Sequence, residues 1–199
     1  MKKTIGIFGG SFDPVHRAHI LLARAACEQL HLDKIIFVLA HQAPLRDSPT
    51  HTSDEDRLAM LKLALSDFPY AWEISDFELK RGGTGYSIDT AKFLISKYSD
   101  CNWYWIIGAD HLSKLAKWKD IEILSELLTF AYAARKGFDA TLDEVPSGVR
   151  LARLEFDALE DSSTFIRDSL SNASTHLMLD NRVIQYILNH KLYAKDENL

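Results

Sequence analysis

The sequence predicts an α/β fold, a doubly wound parallel sheet followed by short C-terminal helices. Short apolar and β-branched runs alternate along the chain with stretches of helical periodicity, which is the pattern of βαβ units. The run Lys34–Ala40 (K-I-I-F-V-L-A) is continuously apolar after its lysine, as expected for a buried parallel strand. Near the N-terminus, a strand-like run leads through two glycines into a helical pattern, which indicates the first βα unit.

The same alternation continues to the C-terminal part of the chain. The predicted strands are Thr4–Phe8, Lys34–Ala40, Trp72–Phe77, Asn102–Gly108, Thr129–Ala134 and Leu151–Phe156. The first predicted helix opens with His16 and His19, carries apolar residues from Ile20 to Leu30 and fades at His31–Asp33. The others are a helix capped by Ser53 that continues through Arg57–Leu65, one through Tyr98 with Ser87 as its N-cap, Ile121–Leu128, and two short ones that begin near Thr164 and Asn181. Polar connections are predicted at His41–Thr52, Lys80–Gly85 and Lys136–Gly148. We expect a single domain over residues 1–199, whose C-terminal helical part lies at about 160–193.

Composition is that of an ordinary globular protein. The 199 residues are 47% hydrophobic and 26% charged, and the formal net charge is −5. A general nucleic-acid binder would show a basic surplus, so no nucleic-acid partner is expected. Cys27 and Cys101 lack metal-ligand spacing and are typical of reduced intracellular thiols. Since no window has the length of a signal peptide's apolar region or of a membrane span, we expect a cytoplasmic protein without a membrane partner.

The stretch Ile5–His19 (I-G-I-F-G-G-S-F-D-P-V-H-R-A-H) carries the strongest chemical signal. Gly9 and Gly10 end the apolar run and let the backbone approach a ligand closely. The helix that follows offers free N–H groups and a positive dipole end, both of which favour phosphate. His16 and His19 are three residues apart, so they share one face of that helix. The stretch therefore predicts a phosphate cradle at residues 9–19 with two imidazoles over it.

The motif G-G-S-F-D-P-V-H-x-x-H in this stretch resembles the signature of the nucleotidyltransferases with an H-x-G-H motif, and most closely that of the bacterial nicotinate-mononucleotide adenylyltransferases. Ala18 stands where that family has a glycine between the histidines. The resemblance implies a Rossmann-like fold and an ATP site. In this chain the implied ATP-binding residues of the cradle are Gly9, Gly10, Ser11, Phe12, His16 and His19.

A second ATP-binding segment is indicated by D-S-S-T-F-I-R at Asp161–Arg167. A helix capped by Ser162 or Ser163 would present hydroxyls and N–H groups to an anion, with Arg167 one turn further on. The segment resembles the family's I-S-S-T-x-x-R, with Asp161 in place of isoleucine. This resemblance implies that the ATP phosphates are held by Ser162, Ser163, Thr164 and Arg167. The catalytic residues it implies are His16, His19 and Arg167.

The segment Gly108-Ala109-Asp110, followed by Trp118, resembles the family's G-A-D…W segment. A carboxylate accepts hydrogen bonds from ribose hydroxyls, and a broad aromatic face suits an electron-poor ring. The resemblance implies that Gly108 and Asp110 belong to the ATP site, with Asp110 on a ribose. It also implies that Trp118 stacks on the pyridine ring of nicotinate mononucleotide.

Two more segments are similar to the family's contacts with the acceptor mononucleotide. G-Y-S-I-D-T is similar to S-Y-T-x-x-T, which implies nicotinate-carboxylate contacts by Gly85, Tyr86, Ser87 and Thr90. A-P-L-R, at 43–46, is similar to the family's P-P-H-R and has Leu45 in place of histidine. It implies that Arg46 holds the substrate phosphate.

Taken together, the resemblance runs from Ile5 to about Tyr193 and implies an adenylyltransferase of NAD biosynthesis. Its substrates would be ATP and nicotinate mononucleotide, and Mg²⁺ would enter with ATP, because the sequence shows no protein metal cage. Two alternatives stay open. One is a related adenylyltransferase acting on nicotinamide mononucleotide or a pantetheine phosphate. The other is a non-catalytic nucleotide-sensing paralogue, favoured by Ala18, Leu45 and Asp161.

Overall fold

A parallel sheet of six strands forms the centre of the fold. The computed structural model describes residues 2–44, 49–134, 142–156, 163–171 and 179–194. The strands are β1 Lys3–Gly10, β2 Lys34–Leu39, β3 Trp72–Ser75, β4 Cys101–Gly108, β5 Thr129–Ala134 and β6 Leu151–Glu155. They lie in the order β3-β2-β1-β4-β5-β6, and every neighbouring pair is parallel. This is the strand order of a doubly wound Rossmann-like sheet, which confirms the predicted fold class.

Helices cover both faces of the sheet. They are α1 Arg17–Gln29, α2 Asp54–Leu65, α3 Phe77–Arg81, α4 Ser87–Lys97, a 3₁₀ helix Ala109–Lys117, α5 Ile121–Leu127, α6 Ser163–Ser171 and α7 Asn181–Asn189. Buried side chains of α1, α2, α6 and α7 share one core with Phe8 and Phe37. Those of α4, the 3₁₀ helix and α5 share the other with Ile7 and Ile36. Successive strand residues thus point to opposite cores, which explains why the strands are apolar throughout.

The first strand is longer than predicted. Gly9 and Gly10 belong to β1, where they pair in register with Val38 and Leu39, so the predicted end at Phe8 is wrong. A Cβ at Gly10 would lie 3.0 Å from Cζ of Phe12. The glycine therefore permits the aromatic ring to pack onto the end of the strand.

Two short helices, α3 and the 3₁₀ helix, were not predicted from the sequence, because tertiary packing stabilises them. Phe77, predicted as the end of a strand, instead begins α3, and its ring stacks on Phe93 of α4 with the centroids 4.2 Å apart. The 3₁₀ helix buries Leu112 and Leu115, whose spacing of three matches its period. At α4 the N-cap is Tyr86 rather than the predicted Ser87.

The predicted cap of α2 is confirmed. Ser53 Oγ accepts from the backbone N–H of Asp56 at 3.0 Å, and α2 begins directly after this cap, at Asp54. The C-terminal helices that were expected near Thr164 and Asn181 are also present. Among the described residues, no helix has both the length and the apolar character needed to cross a membrane.

The sheet places the ends of three strands side by side. β1 lies between β2 and β4, where the strand order reverses, and all three run in the same direction. In an open α/β sheet, ligands bind beside the carboxyl ends of the strands at this switch point. The segments that follow β1, β2 and β4 therefore meet where a nucleotide site is expected.

Candidate active site

The phosphate cradle forms a tight junction between β1 and α1. Phe12 adopts a positive φ of 47° and is buried, and His16 is the N-cap of α1 in an extended conformation. The backbone N–H of His16 donates to Nδ1 of His19 at 3.2 Å. The two imidazole rings lie face to face, tilted by 34°, with their centroids 3.7 Å apart. The predicted placement of both histidines at the start of one helix is confirmed in its geometry.

That hydrogen bond fixes the tautomer of His19. Because Nδ1 accepts from a backbone N–H, the proton of the neutral ring lies on Nε2, which can then donate to an anion. Burial, together with the neighbouring His16, lowers the pKa of His19 well below its ordinary value. Burial lowers the pKa of His16 from 6.5 to about 4. Both rings are therefore neutral at pH 7, and in the free protein they act as hydrogen-bonding groups rather than as cations.

His16 carries an orphaned atom that fits a ligand. The residue is only 7% exposed, and its Nδ1 has no hydrogen-bond partner within the described part of the chain. A buried nitrogen without a partner costs free energy of about 1–3 kcal/mol, which a phosphate oxygen or an ordered water would recover. This deficit lies in the cradle that the sequence singles out.

Asp13, inside the cradle, joins three separate parts of the chain. Its side chain is 0% exposed and accepts from the backbone N–H of His51 at 2.7 Å and from the Thr52 hydroxyl at 2.9 Å. The phenol of Tyr193 donates to the same carboxylate at 2.8 Å. Burial is the main reason that the pKa of Tyr193 is raised, so the phenol keeps its proton and remains a donor. Asp13 is thus a structural centre of the cradle.

The start of α6, where the sequence predicts the second phosphate-binding segment, packs against the cradle. Arg167 donates through Nη1 to the backbone oxygen of Asp13 at 2.8 Å and through Nη2 to Thr164 Oγ1 at 3.1 Å. The Ser163 hydroxyl donates to the backbone oxygen of Pro14 at 3.2 Å. Arg167 and Ser163, from the far end of the sequence, therefore contact the cradle backbone at Asp13 and Pro14.

Arg57 is a buried residue of this site that the sequence analysis missed. It is 0% exposed, and its Nη1 donates to the backbone oxygens of Ser11 and Ala40 at 2.6 and 2.8 Å. Its Nη2 pairs with Asp54, whose second oxygen contacts Nδ1 of His41 at 2.8 Å. The guanidinium thus ties the loop after β1 to the end of β2.

A sequence signal for this burial does exist. Arg57 precedes Met60, Leu61 and Leu65 at spacings of three, four and eight, which places it on the apolar face of α2. A charged residue on such a face must find partners when it is buried.

The Gly108–Asp110 segment lies at the carboxyl end of β4. Asp110 is exposed, and its Oδ1 folds back to within 2.5 Å of the position that a Cβ at Gly108 would take. Glycine at 108 therefore makes room for the carboxylate. In the described part of the chain, the carboxylate of Asp110 lies 3.8 Å from Nε2 of His111, and both side chains are exposed. The carboxylate is therefore accessible from solvent.

Trp118 is half-buried and held edge-on between two rings. Its centroid lies 5.9 Å from that of Trp105 and 5.7 Å from that of Phe130, at interplanar angles of 83° and 81°. Next to it, the ammonium of Lys119 lies 4.4 Å from the ring centroid of Tyr86. The residue that follows Trp118 therefore contacts the Gly85–Thr90 segment, with which Trp118 is predicted to form the acceptor pocket.

Within the Gly85–Thr90 segment, the residues take unequal positions. Tyr86 and Ser87 are half-buried at the start of α4, whereas Thr90 is fully buried and donates its hydroxyl to Oε1 of Glu78 at 2.8 Å. The N–H of Gly85 donates to the backbone oxygen of Gln42 at 2.9 Å. The Thr90 hydroxyl thus lies behind the segment, in contact with protein.

Some predicted positions lie outside the described residues. They are Leu45, Arg46, Asp161 and Ser162. Among the residues that the structure does describe, no group of three His, Cys, Asp or Glu side chains is placed to hold a metal ion. Asp13, the acidic residue inside the cradle, accepts from three donors of its own.

The fold and this site define an α/β protein of the nucleotidyltransferase class, with the predicted phosphate cradle at the switch point of the sheet. The family model described as cytidylyltransferase-like matches residues 7–169. A relative from Opitutus terrae, named "Probable nicotinate-nucleotide adenylyltransferase", is 41% identical over 194 residues, which cover 97% of this chain and 99% of the relative. A relative of the same name from Listeria monocytogenes is 36% identical over 195 residues, covering 98% and 100% of the two chains.

The chain therefore belongs to the nicotinate-nucleotide adenylyltransferase family, which confirms the resemblance drawn from its motifs. Among solved structures, the nicotinic acid mononucleotide adenylyltransferase of Plasmodium falciparum complexed with NaAD superimposes with a TM-score of 0.77. The match covers 96% of this chain and 97% of that one at 21% identity, so it bears on the fold alone.

The depressed pKa of His16 predicts a loss of stability in mild acid. The unfolded imidazole titrates near 6.5, so below that pH the unfolded chain binds a proton that the folded chain takes up only near pH 4. Stability should therefore fall as the pH drops from about 6.5 toward 4. Between pH 7.5 and 5.0, His16 alone should remove about 2 kcal/mol of unfolding free energy. Urea titrations at both pH values should show a drop about 2 kcal/mol smaller in His16→Gln, and equal drops would contradict the assignment.

The buried position of Arg57 predicts a large stability loss when its charge is removed. Arg57→Met leaves two backbone oxygens and the Asp54 carboxylate without their donor, at a cost of about 3–5 kcal/mol. Lys62→Met removes an exposed cation from the same helix and should change stability by no more than about 0.5 kcal/mol. Denaturant unfolding of the two variants measures the difference, and similar values for both would show that the Arg57 contacts contribute little.

Proposed function

We propose that this chain joins ATP and nicotinate mononucleotide to give nicotinate adenine dinucleotide and pyrophosphate, a step of NAD biosynthesis. The names of its relatives give this activity. The observation that carries it in this molecule is the meeting of the cradle with α6, where Arg167 Nη1 lies 2.8 Å from the backbone oxygen of Asp13. That contact holds the Arg167 cation against the loop that leads into the N-terminus of α1, and a cation near a helix N-terminus suits a polyphosphate.

In the proposed reaction, a phosphate oxygen of the mononucleotide attacks the α-phosphorus of ATP in line. The new P–O bond forms as the bond from that phosphorus to the bridging oxygen breaks, and the electron pair leaves with pyrophosphate. The attacking phosphate is already ionised, so positioning and charge stabilisation supply most of the catalysis. Nε2–H of His19 would donate to the triphosphate, and Arg167 would stabilise the leaving pyrophosphate.

The proposed ATP side keeps the residues that the sequence indicated, namely Gly9, Gly10, Ser11, Phe12, His16, His19, Gly108, Asp110, Ser162, Ser163, Thr164 and Arg167. The proposed acceptor side comprises Arg46, Gly85, Tyr86, Ser87 and Trp118, with Thr90 supporting them from behind. Mg²⁺ is proposed as the cation that accompanies ATP, where it would neutralise phosphate charge.

We also propose that the chain forms a single domain and is located in the cytoplasm. A single domain is supported by Ile166, Val183 and Ile187 of the C-terminal helices, which share a core with Phe8 of β1. A cytoplasmic location is supported by the composition and by the unpaired state of Cys27 and Cys101.

Replacement of one cradle histidine should abolish most turnover without unfolding the protein. His19→Ala removes a donor to the shifting charge, and loss of one such donor lowers kcat by on the order of 10²–10³. The exposed His31, which adopts a positive φ of 49°, offers a matched control as His31→Asn, because asparagine tolerates that conformation. Pyrophosphate release measures both variants, and a His19→Ala enzyme with near wild-type kcat would contradict the proposal.

The acceptor is tested by initial rates with ATP and three compounds. Nicotinate mononucleotide should give the highest kcat/KM, because a site that reads a carboxylate loses binding when the acceptor lacks that group. Nicotinamide mononucleotide and a pantetheine phosphate are the comparison acceptors. A preference for either of them would reassign the substrate. ATP binding by calorimetry without pyrophosphate release from any acceptor would instead indicate a nucleotide sensor.

A further inference from the structure

Glu78 is a buried carboxylate with no part in the reaction outlined above. It lies on α3, and the residue is 6% exposed, which is unusual for a glutamate. Burial raises its pKa, while the Thr90 hydroxyl, the backbone N–H of His41 and the charge of Arg81 oppose that rise. A carboxylate kept in such a place needs a structural or functional reason, because its desolvation is costly.

The carboxylate fills the space directly behind Gly85. A Cβ on Gly85 would lie 2.0 Å from Oε2 and 2.7 Å from Cδ of Glu78, which no side chain can tolerate without movement. The other oxygen, Oε1, accepts from Thr90 at 2.8 Å. Glu78 therefore contacts the segment before α4 at its backbone and α4 itself at its first turn.

The same segment is tied to the loop after β2. Gly85 N–H donates to the backbone oxygen of Gln42, and Gln42 forms a parallel bridge with Thr84. Glu78 packs behind this junction, which brings together segments that follow β2 and β3 and the start of α4. These are the segments that hold the proposed acceptor-binding residues Tyr86 and Ser87. The contacts of Glu78 with Thr90, Gly85 and the backbone of His41 include no residue of the cradle.

We propose that Glu78 is a positioning residue of the acceptor side: it sets the backbone of residues 84–87 at the distance from which the nicotinate group is read. The inference rests on the proposed function, since that function defines the acceptor. Thr90 and Gly85 contribute to the same positioning. Thr90 holds the carboxylate by a hydrogen bond, and Gly85 leaves space for it. A displacement of about 1 Å at a substrate-binding segment can cost on the order of 10²-fold in rate.

The expected signature is a selective change in KM. Glu78→Ala should raise KM for nicotinate mononucleotide by on the order of tenfold or more and leave KM for ATP within about twofold. Glu78→Gln keeps the shape and the acceptor atom for Thr90, so it should restore KM to within about threefold of wild type. Thr90→Val should shift KM for the mononucleotide in the same direction by a smaller factor. The exposed Glu122→Ala on α5 is the matched control and should behave as wild type.

A double variant distinguishes a positioning role of Glu78 from a nonspecific loss of structure. Gly85→Ala alone should raise KM for the mononucleotide, because its methyl group collides with the Glu78 carboxylate. Once that carboxylate is gone, the collision is gone too. Glu78→Ala/Gly85→Ala should therefore be no worse than Glu78→Ala alone, and multiplied effects would overturn the inference. Equal changes in KM for the mononucleotide and KM for ATP would overturn it as well. So would a lower Tm with unchanged KM for the mononucleotide in Glu78→Ala and Thr90→Val.

Wild-type rates distinguish this inference from the function on which it rests. If the wild-type protein releases pyrophosphate with nicotinate mononucleotide, the proposed function stands, and the variants then decide the role of Glu78 alone. If it does not, the proposed function fails first. If Glu78→Ala does not fold, Thr90→Val and Gly85→Ala carry the same test, since each must raise KM for the mononucleotide while Glu78→Gln stays within about threefold of wild type.

Discussion

The guanidinium of Arg57 joins the loop after β1 to the end of β2, because one nitrogen donates to the backbone oxygens of both Ser11 and Ala40. These two hydrogen bonds fix the distance between the cradle and the end of β2. A buried cation is costly unless it is fully satisfied, and here backbone oxygens and the Asp54 carboxylate satisfy most of it. Asp13 has a similar role with a negative charge. Its carboxylate accepts hydrogen bonds from the loop at 51–52 and from Tyr193, and these bonds hold both against the cradle. Two buried charges of opposite sign thus support a site whose ligand is itself highly charged.

The electrostatics of the cradle follow from its burial. Both imidazoles are neutral before ligand binds, so they cost little to desolvate and supply directional donors instead of charge. Fixed positive charge comes from Arg167, which cannot lose its proton at physiological pH. A triphosphate brought against His16 and His19 would favour their charged forms and raise both pKa values. The site can therefore respond to developing negative charge without carrying a pair of unpaired buried cations in its empty state.

Much of the fold could be predicted from sequence because its strands are buried on both sides. The continuously apolar run at Lys34–Leu39 has the length of a buried strand, and in residues 9–19 the glycines and the spacing of two histidines indicate the turn and the start of the helix. The short helix α3 could not be predicted, since the stacking of Phe77 on Phe93 selects it and the E-L-K-R sequence is polar. The tautomer of His19 depends on one backbone N–H at the helix cap, which no residue pattern encodes.

The departures from the family motif have to be interpreted together with the residues packed behind it. Gly85 stands where the resembling segment has serine, which, taken alone, suggests a lost hydroxyl. In the folded chain the space beside Gly85 is filled by the Glu78 carboxylate, and that carboxylate in turn receives the Thr90 hydroxyl. A side chain at 85 and a glutamate at 78 in its present rotamer exclude each other on steric grounds alone. The glycine and the glutamate therefore form one feature of the acceptor side, and the chemistry of that side depends on the pair rather than on either motif position.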